Sequence, residues 1–326
     1  MAQWLFEQGI GEDRAVLVDG EEILEAAIEL PGTLRAGTVA DARLTAILVP
    51  RKRGIVAFGN GREALVEPLP PTATQGGLLR VEIVREAIAE SGREKLAKAK
   101  ATDAPTRAGA SLRERIGEAR EVPTIGDDLF EQAGWSELLE EARTGEISFP
   151  GGALRMSLTP AMTLFDVDGA LEPAALAVAG AAAAGRAIRR FGIGGSIGVD
   201  LPTIAAKGDR LAAAEALDRA LPQPFERTAV NGFGFLQVVR RRERASLPET
   251  LRIDPTGAAA RALLRRAGRT AGGGAMTLVA APAVVVRLER ETAWLAALAR
   301  ATGGPVALQP QDNLPIFGGY AHHRQS

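Results

Sequence analysis

Residues 153–169, ALRMSLTPAMTLFDVDG, together with EPAALAVAGAAAAGRAIRRFG (172–192) and GGSIGVD (194–200), decide the fold of this chain. The first stretch reads as two strands in a hairpin. The second is a helix, basic in its last turn and closed by Gly192. The third is a short buried strand. Strand–helix–strand order predicts a crossover, with the strands before and after the helix side by side and parallel. A layered α/β domain is therefore expected over residues 146–250.

That arrangement has a chemical consequence. Asp166 lies inside an apolar strand between Phe165 and Val167, and the two-residue repeat of a strand puts Asp166 and Asp168 on one face. Asp200 closes the next strand, just before Leu201-Pro202. Ligands of open α/β sheets gather at the carboxyl ends of strands, so Asp166, Asp168 and Asp200 are predicted to meet there. Carboxylates within a few ångströms repel, and either a pKa rises or a cation joins them. Oxygen ligands with no His or Cys nearby suit Mg²⁺, Mn²⁺ or Ca²⁺. Mg²⁺ uses one or two protein carboxylates and keeps waters for a phosphate substrate. The competing reading makes the three aspartates strand-end turn residues, Asp168-Gly169 being an ordinary turn pair. His322 and His323 are the only histidines. They read as tail residues and leave no basis for a Ser-His-Asp set.

On the N-terminal side, RAVLVDGEEILEAAIEL (14–30) reads as two strands around an Asp19-Gly20 turn, a unit ended by Pro31-Gly32. From Gly37 to about Lys100, short β runs punctuated by Gly and Pro predict a small closed barrel of OB type, set after the strand unit of residues 1–36. Residues 101–135 read as a linker with short helical pieces, and 136–143 as a helix. On the C-terminal side, a helix over 209–221 and strands within 225–242 complete the α/β domain. Residues 251–326 form a small α/β unit: helix 258–268, strand 275–281, helix 282–301 and strand 305–310.

The chain has 326 residues, 46% apolar and 24% charged, the balance of a globular protein. It has no cysteine, which excludes disulfides and thiolate zinc or iron–sulfur sites. No signal peptide is visible and the longest apolar run, Ala174 to Ala184, is too short to span a bilayer, so a cytoplasmic protein with no membrane partner is expected. The net charge of −1 hides an uneven layout: residues 51–100 hold ten bases and six acids, and 231–270 hold nine bases and three acids. Such segments suit a polyanion path. They equally suit a solvated arginine surface, since lysines number five against 34 arginines.

LRMSLTPAMTLFDVDG followed by FGIGGSIGVDLPTI resembles the catalytic segment of the ribonuclease E/G family. There, a strand ending in Asp-x-Asn is followed by a helix and a Leu-Gly-Gly-x-Ile-x-x-Asp-Phe strand. By that match Asp166 and Asp200 take the places of the two Mg²⁺-binding aspartates, and Asp168 that of the asparagine beside them. ARTGEISFPGG (142–152), GFGFLQVVRRR (232–242), RAVLVDGEEILEAAIELPG (14–32), TRAGASLRERI (106–116) and the end, LQPQDNLPIFGGYAHH, extend the resemblance along nearly the whole chain. Gly232 departs from the family's usual arginine. Between about Ile116 and Thr124 almost nothing remains of the family's 5′-monophosphate sensor, and the cysteines that share a zinc between subunits are missing after Leu247.

The resemblance implies an endoribonuclease acting on single-stranded RNA, with Mg²⁺ (Mn²⁺ in substitution) held by Asp166 and Asp200, Asp168 in support, and no zinc. Any homo-oligomer would then lack a zinc link. It implies an RNA-binding barrel with basic contacts near Arg85 and Lys95, where Phe58 is the sole aromatic between 37 and 100. Arg107 in the following segment, and Arg240 and Arg242 beyond the catalytic strands, would hold the strand by its phosphates. The alternative is a catalytically inactive RNA-binding protein of the same fold.

Overall fold

The computed structural model describes residues 1–90 and 93–323. The chain opens with a meander, β1 (Gln3–Gln8), β2 (Asp13–Asp19) and β3 (Glu22–Glu29), antiparallel throughout. The Asp19-Gly20 turn falls where expected, with Gly20 at φ 62°. β1 adds a strand to the expected pair.

The barrel is closed and five-stranded. β4 (Val39–Val49), β5 (Arg53–Ala57) and β6 (Glu63–Val66) form a meander, and β7 (Leu78–Arg85) returns beside β4. After the hairpin of β8 (Ile88–Glu90) and β9 (Arg93–Lys95), β10 (Ala97–Ala101) closes the ring, parallel to β6 and antiparallel to β7. This is the connectivity of an OB-like barrel. Its interior is filled mostly by small side chains, among them Ala42, Val56, Ala64, Val66, Val81 and Ala99, with Phe58 the one ring.

Residues 101–145 hold the expected short helical pieces and the helix expected over 136–143, and add a strand to the N-terminal sheet. α1 (Leu112–Arg115) starts at a Ser111–Glu114 capping box, and β11 (Arg120–Glu121) joins the N-terminal sheet parallel to β1. α2 (Leu129–Gln132) and α3 (Trp135–Thr144) bring Phe130 and Trp135 edge to face in the main core, centroids 5.3 Å apart. Local periodicity is poor here because partners from distant segments, not an amphipathic repeat, hold the chain down.

The main sheet contains β12 (Glu146–Phe149), β13 (Gly152–Leu158), β14 (Thr163–Gly169), β15 (Gly195–Asp200), β16 (Glu226–Arg227) and β17 (Phe235–Arg240), in the order β12-β13-β14-β15-β17-β16. β13 and β14 form the expected hairpin. β14 and β15 are parallel and adjacent, joined through α4 (Pro173–Arg190). The run 225–230, read as a strand, shortens to Glu226–Arg227. One face of the sheet is buried. Leu154, Met156, Phe165, Val167, Ile197, Val199, Leu236 and Val238 share a core with α4 and with α5 (Lys207–Ala220). α4 also touches β3, so it is packed on several sides at once. Its alanine-rich sequence lets backbones approach closely there. Gly192 ends it as expected, with the amide of Ile193 donating to the carbonyl of Ile188 at 2.9 Å.

α6 (Leu247–Ile253) and α7 (Pro255–Gly268) lead into the C-terminal unit. There β18 (Met276–Ala280) is wholly buried between β19 (Val306–Pro310), parallel to it, and β20 (Tyr320–His323), antiparallel to it. The helix expected over 282–301 is two, α8 (Pro282–Arg290) and α9 (Thr292–Thr302), because Glu291 leaves helical geometry at φ −101°, ψ 58°. His322 and His323 are strand residues rather than tail. Among the described residues, no helix is long and apolar enough to cross a membrane.

A buried ionic network fastens the C-terminal unit to the N-terminal strands. Arg14 pairs with Glu7 and, at 2.7 Å, with Glu12. Arg261 reaches Glu12 at 2.7 Å, and Arg269 meets Glu7 and Asp128. Arg265 pairs with Asp128 and lies over the Phe130 ring at 5.5 Å. Glu7 has no exposed surface and Arg14 almost none. Each charge there depends on its partners for the solvation that water no longer supplies.

A candidate metal and nucleic-acid site on the open sheet face

The helices cover one face of the main sheet and leave the other to solvent. Alternation along β14 sends Phe165 and Val167 inward and Asp166 and Asp168 outward. On β15 it sends Val199 inward and Asp200 outward. Asp166 and Asp200 are register partners across the parallel pair, so their side chains leave the sheet next to each other, about 4.8 Å apart at the backbone. Both are exposed. Among the described residues, neither carboxylate has an ion-pair or hydrogen-bond partner. Asp128, Asp218 and Asp254, by contrast, are all paired with arginines.

Asp168 does not join the pair. Its Oδ1 accepts from the Gly169 amide at 2.9 Å, and its Oδ2 lies 3.8 Å from the guanidinium of Arg155. Among the described residues, no group of three or more His, Cys, Asp or Glu is gathered closely enough to hold a metal ion. The donor set is two neighbouring carboxylates. That fits Mg²⁺, which takes one or two carboxylates and fills its remaining positions from water and phosphate.

One row of register partners crosses this face: Glu146 on β12, Arg155 on β13, Asp166, Asp200, and Phe235 on β17. Arg155, 59% exposed, makes two long ion pairs, each at 3.8 Å, to Glu146 and Asp168. At the other end the Phe235 ring lies over Gly198. A Cβ there would come within 2.6 Å of the ring and 2.7 Å of Leu164, so only glycine lets these apolar groups settle against the backbone below Asp200. The preceding loop is tightly held. The Asn231 side-chain oxygen accepts from the amides of Phe233 and Phe235 at 2.9 and 3.0 Å, and the Leu201 amide donates to the Gly234 carbonyl at 3.2 Å. Gly234 has φ 90°, and a Cβ would lie 2.2 Å from the Leu201 carbonyl oxygen. Phe233, within this loop, is 84% exposed.

Sequence reading passed over Arg155, Phe233 and Phe235. Arg155 was within reach: a hairpin centred on Pro160-Ala161 puts residue 155 opposite residue 166. The phenylalanines carry no local signal, because their importance comes from a loop pressed against Leu201.

The other predicted contacts lie elsewhere. Phe58 is buried in the barrel core, so its ring is not available to stack on a base. Its place among small side chains makes it the filler of the barrel. Arg240 shares the parity of Leu236 and Val238 and so belongs to the helix-covered face, opposite the aspartate pair. It donates to the Ile193 carbonyl at 3.2 Å, and burial pushes its guanidinium below the usual arginine range. Arg242 pairs with Glu249 of the α6 capping box. Arg107 binds Glu82 at 2.9 Å and the Gly37 carbonyl at 3.2 Å, which fastens its segment to the barrel. Arg85 donates to the Leu96 carbonyl at 2.5 Å, and Lys95 is an exposed residue at the end of β9. The structure unites Asp166 and Asp200 and leaves these basic positions dispersed.

No protein-family model matches this sequence, and no curated protein matches it.

Proposed function

We propose that the open sheet face binds single-stranded RNA and hydrolyses its phosphodiester backbone, with Asp166 and Asp200 holding Mg²⁺. One observation carries this reading: two carboxylates that are register partners on adjacent parallel strands, both exposed and both unpartnered among the described residues. Two like charges held side by side with no protein cation between them form a site that gains by taking up a divalent ion. Mn²⁺ suits the same oxygen donors. When bound, the ion supplies an activated water and offsets charge on the phosphate. Asp166 and Asp200 fix its position from a rigid, helix-backed sheet. Asp168 stays with Arg155 and Gly169 and helps to orient the strand end.

The second reading, a non-cleaving RNA-binding protein of the same fold, is favoured by Asp168 facing Arg155 instead of the pair. Cleavage of an end-labelled single-stranded RNA, with Mg²⁺ and in excess chelator, separates the two. The proposal expects metal-dependent fragments. RNA bound but left intact at every metal concentration would select the second reading.

A further inference from the structure

The row across the open face has a cation, Arg155, at one side of the aspartate pair and Phe235 at the other, with the exposed Phe233 in the loop that leads into Phe235. We propose that it is a two-point grip for a single strand of RNA: Arg155 holds a phosphate and Phe233 stacks a base, with Asp166 and Asp200 between them. The inference rests on the reading of this face as an RNA site and gives RNA contacts there to two residues, Arg155 and Phe233, to which that reading assigns none.

Arg155 is the first support. Its cross-strand position beside Asp166 is set by the β13–β14 register. Its ion pairs at 3.8 Å to Glu146 and Asp168 are outside hydrogen-bonding distance, so its donors remain free for another acceptor. Arg80, for comparison, is closed on Asp41 by hydrogen bonds of 2.8 and 3.1 Å. A guanidinium with spare donors suits a phosphate, which it can meet with two parallel N–H bonds.

Phe233 is the second. A phenylalanine with 84% of its surface in water, on a loop fixed by Asn231 and by the Leu201–Gly234 contact, loses little freedom when a base lies on it. Ring–base stacking tolerates any sequence, as a single-strand binder requires. Arg155 to Phe235 is three strand spacings, about 14 Å, and Phe233 stands two residues before Phe235 in the chain, so phosphate contact, carboxylate pair and the loop that carries the ring fall within a few nucleotides of one another. Phosphates alone would be repelled by two carboxylates. A strand gripped at a phosphate on one side and a base on the other can pass over the pair.

The test uses Asp200→Asn as the background, so that binding is measured without cleavage. Arg155→Ala in that background should flatten the plot of log K against log salt by about 0.7, the loss of one phosphate contact on a single strand. Arg155→Lys should restore the slope. RNA carrying 2-aminopurine should lose fluorescence on binding as the base stacks. Phe233→Ala should abolish that quench and weaken binding about tenfold, whereas Phe233→Trp should retain both. Unchanged melting temperatures would show that these variants are folded. An unchanged salt slope in Arg155→Ala, or an unchanged quench in Phe233→Ala, overturns the grip. RNA binding with no cleavage by the unmodified protein would defeat the nuclease reading alone. Failure to bind RNA would defeat both.

Discussion

At the scale of single residues, the aspartate pair yields the sharpest expectation. Asp166→Asn and Asp200→Asn should each reduce cleavage at least ~100-fold, because losing a metal ligand outweighs losing a residue that merely orients one. Each should also raise the melting temperature of the metal-free protein slightly, since one of two adjacent like charges is gone. Turnover by either variant at the unmodified rate would remove the metal site from consideration. Glu86 yields an expectation in pH. Burial pushes its carboxyl above the usual glutamate range, against the hydrogen bond from the Ala36 amide and the charge of Arg244. The folded protein therefore holds a proton on Glu86 after the unfolded chain has released it. Stability from this residue is fully present below the ordinary glutamate pKa and is lost as pH rises through the raised value. Glu86→Gln keeps the side-chain carbonyl and removes the charge. Its melting temperature should equal that of the unmodified protein in acid and exceed it at pH 8; a variant less stable at pH 8 than in acid, relative to the parent, would contradict the assignment.

At the scale of elements, the barrel and the segment after it separate packing from binding. Phe58→Ala should destabilise the protein by about 3–5 kcal/mol, the usual cost of removing a buried ring. The affinity of the folded variant for RNA should be unchanged, as titration well below its unfolding transition would show. The arginines of residues 106–116 support another expectation. Arg107 is paired with Glu82, Arg113 with Glu121 and Arg115 with Glu29. Occupied guanidinium groups make a poor pocket for a terminal phosphate. Values of kcat/KM for oligonucleotides with 5′-hydroxyl and 5′-monophosphate ends should differ by well under tenfold, and a tenfold preference for the monophosphate would reveal a sensor. Most of these elements were legible in the sequence. Hairpin 153–169, helix 172–192 and strand 194–200 announce themselves by period and punctuation, and the facing of Asp166 and Asp200 follows from them. The side that Arg240 takes follows from its parity with Leu236 and Val238, a signal the sequence carries and the reading of Arg240 as a phosphate contact did not use. β11 and β20 escaped because they are short and are held by contacts far along the chain.

At the scale of the whole molecule, the ionic network between the N-terminal strands and α7 ties three segments into one cooperative body. Glu7 serves Arg14 and Arg269 with no access to water. Glu7→Gln should destabilise the protein by about 3–5 kcal/mol, the cost of leaving buried cations without their counter-charge. Urea unfolding followed at the N-terminal sheet and at the C-terminal unit should shift together. Shifts confined to one region would show that the units are only loosely joined. The accessible surface, 16033 Å² for 34.1 kDa, exceeds the roughly 12,800 Å² of a compact monomer of that mass. A cleft of about 1060 Å³ is lined by the N-terminal strands, the barrel and residues Arg241 to Arg244, and ion pairs line its walls.

The alternation that buries Phe165, Val167 and Val199 while exposing Asp166 and Asp200 also acts as a proofreader of folding. Slipping β14 by one residue against its neighbours would push an aspartate among the alanines of α4 and turn two core side chains out to water. Slipping it by two would keep the facing but carry Asp166 about 6.6 Å along the ladder, out of reach of Asp200. A wrongly threaded chain therefore loses either its core or its carboxylate pair. On the proposed reading, cleavage needs both aspartates together and is therefore open only to the correctly threaded chain.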